Sequence, residues 1–353
     1  MVLWAKKIFY LGEHLMFHNS LAKYSFSLIM FISLSVVLSP AKSLACASCG
    51  CTLSSDWEEQ SQKAKLDIRY DYVNQSQLRA GTSTISPDAA SKLSNNTQEV
   101  ENYTRNTYVT ASAEYSVDPV WKIGLQIPYI LRDHSTMGTS SNGVSAGPGG
   151  GQYTSYTSSL GDIKLLGRFH GLTSQHNLAA IAGLKLPTGS HTLTGASTDA
   201  TAPAPVAIDR GLQPGSGTTD VILGLHYTEA MSREWDYFGE IFYQSALNYA
   251  DQYKPGDGYN LNLGLRYMGF TEAGVTPQAQ INSRYVQHDL GFVGVADTIS
   301  TGGTLIYLSP GVTVAVGSGA EVYAFVQVPL YQNLLGVQLT PTYTASLGAR
   351  YKF

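Results

Sequence analysis

From Lys65 onward, apolar and polar side chains alternate in runs of about ten residues, the period-two pattern of a strand with two unlike faces. The first run places Leu66, Ile68, Tyr70 and Tyr72 on one face and Lys65, Asp67, Arg69 and Asp71 on the other. The pattern predicts twelve strands, over residues 65–73, 107–115, 121–131, 161–169, 178–186, 220–227, 236–244, 259–267, 275–285, 304–314, 321–330 and 342–353. The connections between them alternate. Long ones cover 73–106, 132–160, 187–219, 245–258, 286–303 and 331–341, and short ones fall at 116–120, 170–177, 228–235, 268–274 and 315–320.

An even number of amphipathic strands joined alternately by long loops and short turns is the signature of an outer-membrane barrel. The predicted fold is therefore all-β: a transmembrane antiparallel up-and-down β-barrel of about twelve strands with both termini periplasmic. Tyr70, Tyr72, Tyr115, Trp121, Tyr129, Tyr227, Tyr267, Tyr285 and Tyr351 stand near segment ends on the apolar face, where aromatic girdles lie. The last segment alternates to the final residue. Its Leu347, Tyr351 and Phe353 resemble the carboxy-terminal β-signal read by the barrel-assembly machinery of Gram-negative bacteria.

Composition narrows the alternatives. Charged residues make up 14% of the chain, against roughly 25% in soluble domains, while 35 Gly and 23 Tyr are present. A formal net charge of −4 with no Lys/Arg cluster speaks against a nucleic-acid partner. Residues 24–39 form an apolar stretch flanked by Lys23 and by Pro40, followed by Ser43-Leu44-Ala45, so residues 1–45 read as a secretory signal peptide. A start at Met16 would give a leader of ordinary length, with residues 1–15 then an over-called start. The domain reading is then leader 1–45, a periplasmic Cys-containing segment 46–64, and a barrel from 65 to 353.

All three cysteines, Cys46, Cys49 and Cys51, lie in the run CASCGC at the expected mature N-terminus. Three readings stay open: a disulfide with one thiol left over, a soft-metal or redox site for Cu or Zn, and lipidation of Cys46, although Ser43 stands where a lipobox has Leu. No other cofactor is indicated. Three thiolates are one short of a closed zinc site.

Several motifs carry a more specific likeness. They are Ile127-Pro128-Tyr129, Leu160-Gly161-Asp162, Gly183-Leu184-Lys185-Leu186-Pro187-Thr188-Gly189, Gln213-Pro214-Gly215-Ser216-Gly217 before Asp220, and, near the end, Val328-Pro329-Leu330-Tyr331-Gln332 and Gly336-Val337-Gln338-Leu339. In this order they resemble the MetA-pathway phenol-degradation family of outer-membrane transporters, over residues 120–353. The resemblance implies a transporter barrel in the cell outer membrane. Read from the residues alone, the Pro-Thr-Gly and Pro-Gly-Ser-Gly stretches are turn makers where strands leave the membrane, or contacts for a substrate.

With the polar face turned inward, the lumen collects eleven cations, including Lys122, Arg132, Lys164, Arg168, Lys185, Arg266, Arg284 and Arg350, against eight anions, including Asp220, Glu240 and Glu321. His226 also falls on that face. The first three long loops, rich in Gly, Ser and Thr, have the length to fold inward and constrict the opening. The expected function is a passive outer-membrane channel or transporter for an unidentified small solute. The alternative is a structural or redox-linked barrel whose CASCGC segment binds a metal or a periplasmic partner. Expected partners are outer-membrane lipid, lipopolysaccharide and the assembly machinery. A barrel phospholipase needs an outward Ser and His; His170 and His176 fall in a turn and His134, His191 and His288 in loops, so no enzyme is expected.

Overall fold

The computed structural model describes residues 53, 62–93, 100–137, 153–197, 205–291 and 298–353. The leader and all three cysteines lie outside these residues. In chain order the first strands are β1 Ala64–Gly81, β2 Ser83–Thr84, β3 Glu101–Ser116, β4 Trp121–Thr136, β5 Tyr153–Leu160 and β6 Ile163–Phe169. Next come β7 Leu178–Leu186, β8 Thr194–Ser197, β9 Val206–Ala207, β10 Asp220–Ala230, β11 Trp235–Ala246 and β12 Tyr253–Lys254. The last are β13 Gly258–Tyr267, β14 Val275–Val286, β15 Leu290–Gly291, β16 Gly303–Gly317 and β17 Ala320–Lys352. A short α-helix, α1, spans Pro87–Leu93.

The long strands form one antiparallel sheet that closes on itself: β1 pairs with both β3 and β17, and each remaining wall strand pairs with its neighbours in sequence. β5 and β6 make a single stave, since both pair with β4 and the break falls at Gly161-Asp162. β17 does the opposite. Its residues up to Leu334 pair with β16 and those beyond it with β1. Gly336 takes a positive φ of 59°, Gln332 reaches the Pro341 carbonyl at 2.7 Å, and the Lys352 N–H donates to Gly319 at 2.8 Å. The two legs of β17 thus lie side by side, and the eleven wall elements carry the chain across the barrel twelve times. At the seam the Lys63 N–H donates to the Phe353 carbonyl at 3.0 Å and the Phe353 N–H to Ala64 at 2.9 Å.

All the short turns gather at the end that carries the termini. Asp118 and Ser232 shape two of them by accepting backbone N–H groups, the carboxylate of Asp118 from Val120 and Trp121 and the hydroxyl of Ser232 from Glu234 and Trp235. The outer face is apolar. Aromatics bound it in pairs eight residues apart on one strand: Trp121 and Tyr129, Trp235 and Tyr243, Tyr267 and Tyr259, Tyr351 and Tyr343. Eight residues at about 3.3 Å each, on a strand tilted by about 40°, separate the two belts by roughly 20 Å, close to the apolar band of such barrels. Neighbours touch within each belt, as Trp235 and Tyr267 do at 4.9 Å and Tyr243 and Tyr259 at 5.1 Å. Ile123, Ile241, Leu263 and Leu347 lie exposed between them.

At the long-loop end the wall rises further than alternation predicts. β1 continues to Gly81, β3 begins at Glu101 and β5 at Tyr153, and the connection expected over 331–341 is a tight fold-back within β17. Above the upper belt both faces are polar, as in Gln75, Gln77 and Arg79, so the period-two signal fades while the ladder goes on. His134, expected in a loop, is therefore a buried β4 residue bonded to Thr104 at 2.8 Å. α1 covers a small apolar cluster of Leu78, Ala90, Val100 and Leu339 at this end.

Candidate functional site

The interior is filled unequally. On the β10–β17 side, inward aromatics lie over glycines of the neighbouring strand: Phe242 over Gly224, Phe238 over Gly264, Phe325 over Gly311, and Tyr323 over Gly348. A Cβ at Gly264 would sit 2.0 Å from the Phe238 ring and one at Gly311 2.2 Å from Phe325, so the absent side chains are what admit the rings. Among them runs a buried polar ladder. Glu240 faces His226 at 3.3 Å and accepts from Asn262 at 2.9 Å; Asn282 donates to Asn262 at 2.9 Å and accepts from Ser309 and Gln327. Such paired polar groups satisfy one another away from water. Leu53, whose carbonyl accepts from Arg69 at 3.3 Å, is buried against Tyr323 and Phe325.

Two interior cavities share Arg69, Thr110 and Gln126, the smaller set against β1, β3, β4 and β6 and the larger reaching across to Gln244, Asn260 and Arg284 on β11, β13 and β14. The smaller, about 60 Å³, lies toward the termini end and is lined by Glu114 and its partners. Glu114 receives Lys65 at 3.4 Å, Arg168 at 3.3 Å and Lys122 at 3.9 Å. Beside it, where β17 pairs with β1, Arg350 bridges Asp67 at 3.3 Å and Glu321 at 3.7 Å, and Lys352 meets Glu321 at 2.7 Å. Arg266 pairs with Asp236 at 2.8 Å near the same end.

The larger cavity, about 310 Å³, is roofed by the connection between β7 and β10. That connection leaves the wall, adds β8 beside β5 and β9 beside β8, and then turns inward, so that Arg210 to Gly215 are buried. Asp162 fixes it there. One carboxylate oxygen accepts the Gly189 N–H at 3.0 Å, and the other accepts the Ser216 N–H and hydroxyl at 2.9 Å each. Lys185 stands between Asp162 at 3.1 Å and Asp220 at 3.0 Å and donates to Ser216 and Thr218. Gly189 and Gly215 touch backbone to backbone: a Cβ on Gly215 would lie 2.3 Å from the Gly189 carbonyl oxygen.

From the neighbouring strand β4, Arg132, held by Asn106, donates to the Gly211 and Gln213 carbonyls at 3.5 and 3.4 Å. Arg210 donates to Ser216 at 2.8 Å, pairs with Asp251 at 3.1 Å and covers the Tyr253 ring. The Gly-Asp, Pro-Thr-Gly and Pro-Gly-Ser-Gly stretches therefore do one job together: they lock a loop inside the barrel.

Lys164 and Arg284 also line this cavity, Lys164 donating to Gln244 at 3.3 Å and Arg284 to Asn260 at 3.4 Å. Leu347, Tyr351 and Phe353 point outward and are exposed. Cys46, Cys49 and Cys51 lie outside the described residues, among which no cluster of metal-ligating side chains occurs. The alternation pattern does not single out Arg210 and Gln213, which stand in a loop, or the inward aromatics. Their signal is a ring opposite a glycine, legible only once strand register is known.

The sequence matches no family model and no curated protein. Solved structures do resemble it. An outer-membrane channel from Pseudomonas putida F1 superposes with a TM-score of 0.56 at 13% identity, over 85% of this chain and 99% of that one. The β domain of the Bordetella autotransporter BrkA gives 0.44 at 13% identity, over 83% and 100% of the two chains. The Pseudomonas putida toluene transporter TodX gives 0.41 at 10%, over 82% and 89%. The chain has the closed antiparallel barrel fold of an outer-membrane protein, the fold it shares with the Pseudomonas putida F1 channel.

Proposed function

We propose that the protein is a passive channel for small solutes in the cell outer membrane, with its termini and short turns in the periplasm and its long loops outside. The observation that carries this reading is the polar cavity held open beneath a loop pinned inside the wall. A barrel made only to be rigid gains nothing from a loop that is held in its lumen by Asp162 and Arg132 of the wall. Loop and lumen together set what passes. The outward apolar face, about 20 Å between belts, meets lipid and lipopolysaccharide, and the outward Leu347, Tyr351 and Phe353 present the assembly signal. The order of the Gly-Asp, Pro-Thr-Gly and Pro-Gly-Ser-Gly motifs supports a place among the MetA-pathway transporters.

Planar-bilayer recording of the refolded chain tests the reading. Discrete single-channel steps are expected, with a reversal potential in a KCl gradient that favours chloride because the lumen is basic. A sealed barrel, silent in bilayers and impermeable in vesicles, contradicts it.

A further inference from the structure

The larger cavity has charges that the fold does not use. Its lining carries six cationic and four anionic side chains. The anions are all engaged: Asp162 and Asp220 by Lys185, Asp71 by Arg69 at 2.8 Å, and Asp289 by the Tyr253 hydroxyl at 2.9 Å and the Gly256 N–H at 2.8 Å. Of the cations, Arg69, Lys185 and Arg210 each have a carboxylate partner, and Arg132 is bound to Asn106 and the loop. Lys164 and Arg284 form no ion pair among the described residues. Each has one neutral amide oxygen, at 3.3 and 3.4 Å, and the buried Arg284 Nε has no partner at all.

The two head groups converge although their strands stand well apart in the wall. Lys164 reaches from β6 to Gln244 on β11, and Arg284 reaches from β14 to Asn260 on β13. β11 and β13 are neighbours, with Gln244 opposite Gly258 and Asn260 opposite Phe242, so the amides stand side by side. Arg284 and Lys185 bear on the Lys164 ammonium as like charges, and Asp220 and Asp162, both already paired with Lys185, as opposite ones. Two like charges brought together in a partly buried site repel each other unless an anion sits between them. Pro128, Ile130 and Val286 supply apolar wall in the same cavity.

We propose that Lys164 and Arg284 form a binding site for the carboxylate of a small organic anion whose apolar body packs on the Pro128, Ile130 and Val286 side. Arg284 offers a planar fork and Lys164 a mobile point charge, a pair suited to the two oxygens of one carboxylate. The proposal deepens the channel reading, making the site the selective step beneath the loop, and it rests on that reading only for its role in passage.

Calorimetric titration of the full chain in detergent with benzoate and with benzamide, its neutral isostere, tests the site without requiring conduction. Benzoate is expected to bind about tenfold or more tightly than benzamide, the scale of a charge-assisted hydrogen bond. Lys164→Gln and Arg284→Gln should each weaken benzoate by a similar factor and leave benzamide unchanged. Arg105→Gln, which removes an exposed cation outside the cavity, should bind benzoate as the unaltered chain does. Equal binding of benzoate and benzamide by the unaltered chain, a comparison that needs no variant to fold, overturns the proposal, as does undiminished benzoate binding by both glutamine variants. A silent barrel that still prefers benzoate removes the channel reading alone; a conducting barrel without that preference removes the site alone.

Discussion

The carboxylate of Asp162 accepts both the backbone N–H and the hydroxyl of Ser216, each at 2.9 Å, across fifty-four residues of sequence. This contact joins the break between β5 and β6 to the tip of the inward loop. Replacing Asp162 by Ala strands the Ser216 and Gly189 donors and leaves Lys185 with one carboxylate instead of two. The expected cost is about 2–4 kcal/mol, because a buried pair is broken rather than replaced. Urea unfolding of the barrel in detergent measures it, and a change under about 0.5 kcal/mol would show the contact to be incidental.

Gly189 and Gly215 give an independent handle on the same loop. A methyl group on Gly215 would collide with the Gly189 carbonyl, and backbone cannot yield as a side-chain tip can. Gly215→Ala should expel the loop and so resemble Asp162→Ala in conductance. Since both changes undo one contact, the double variant should cost less than their sum. Full additivity in urea unfolding contradicts a shared lock.

The filled side behaves differently. Gly264→Ala forces Phe238 off its seat, for a loss of about 1–3 kcal/mol, the range for overpacking. Its effect on conductance should be slight because neither Phe238 nor Gly264 lines either cavity. Phe238→Leu in the same chain should restore part of the stability. A large rise in conductance for Gly264→Ala would show that the path runs through the aromatic side.

How much of this was legible beforehand follows from what a single strand can reveal. Alternation places Leu263 outward and Asn262 inward with no knowledge of neighbours, and the regular exchange of long and short connections counts the crossings. The likeness of the Gly-Asp, Pro-Thr-Gly and Pro-Gly-Ser-Gly motifs marked residues that matter. It did not show that they meet, because Asp162 and Ser216 come together only after β6, β7 and the inward loop have formed. Alternation also failed above the upper belt, where Gln75 and Arg79 put polar side chains on both faces of the wall. The rings of Phe238 and Tyr323 escaped notice for a third reason: an apolar residue on a polar face looks like noise until a glycine is found opposite it.

The lipid-facing surface offers a test by depth. Leu263 lies midway between Tyr259 and Tyr267, and Tyr267 lies in the belt itself. Leu263→Arg should cost about 2–4 kcal/mol and Tyr267→Arg about 0–1 kcal/mol in a bilayer, since the penalty falls from midplane to interface. Equal costs for the two would mean that this face does not span a membrane.

The most direct test of the central claim is single-channel conductance of the unaltered chain beside Asp162→Ala. A solute path narrowed by a loop that Asp162 pins predicts small, anion-preferring steps for the first and severalfold larger, less selective steps for the second. The same conductance in both, or none in either, would contradict it.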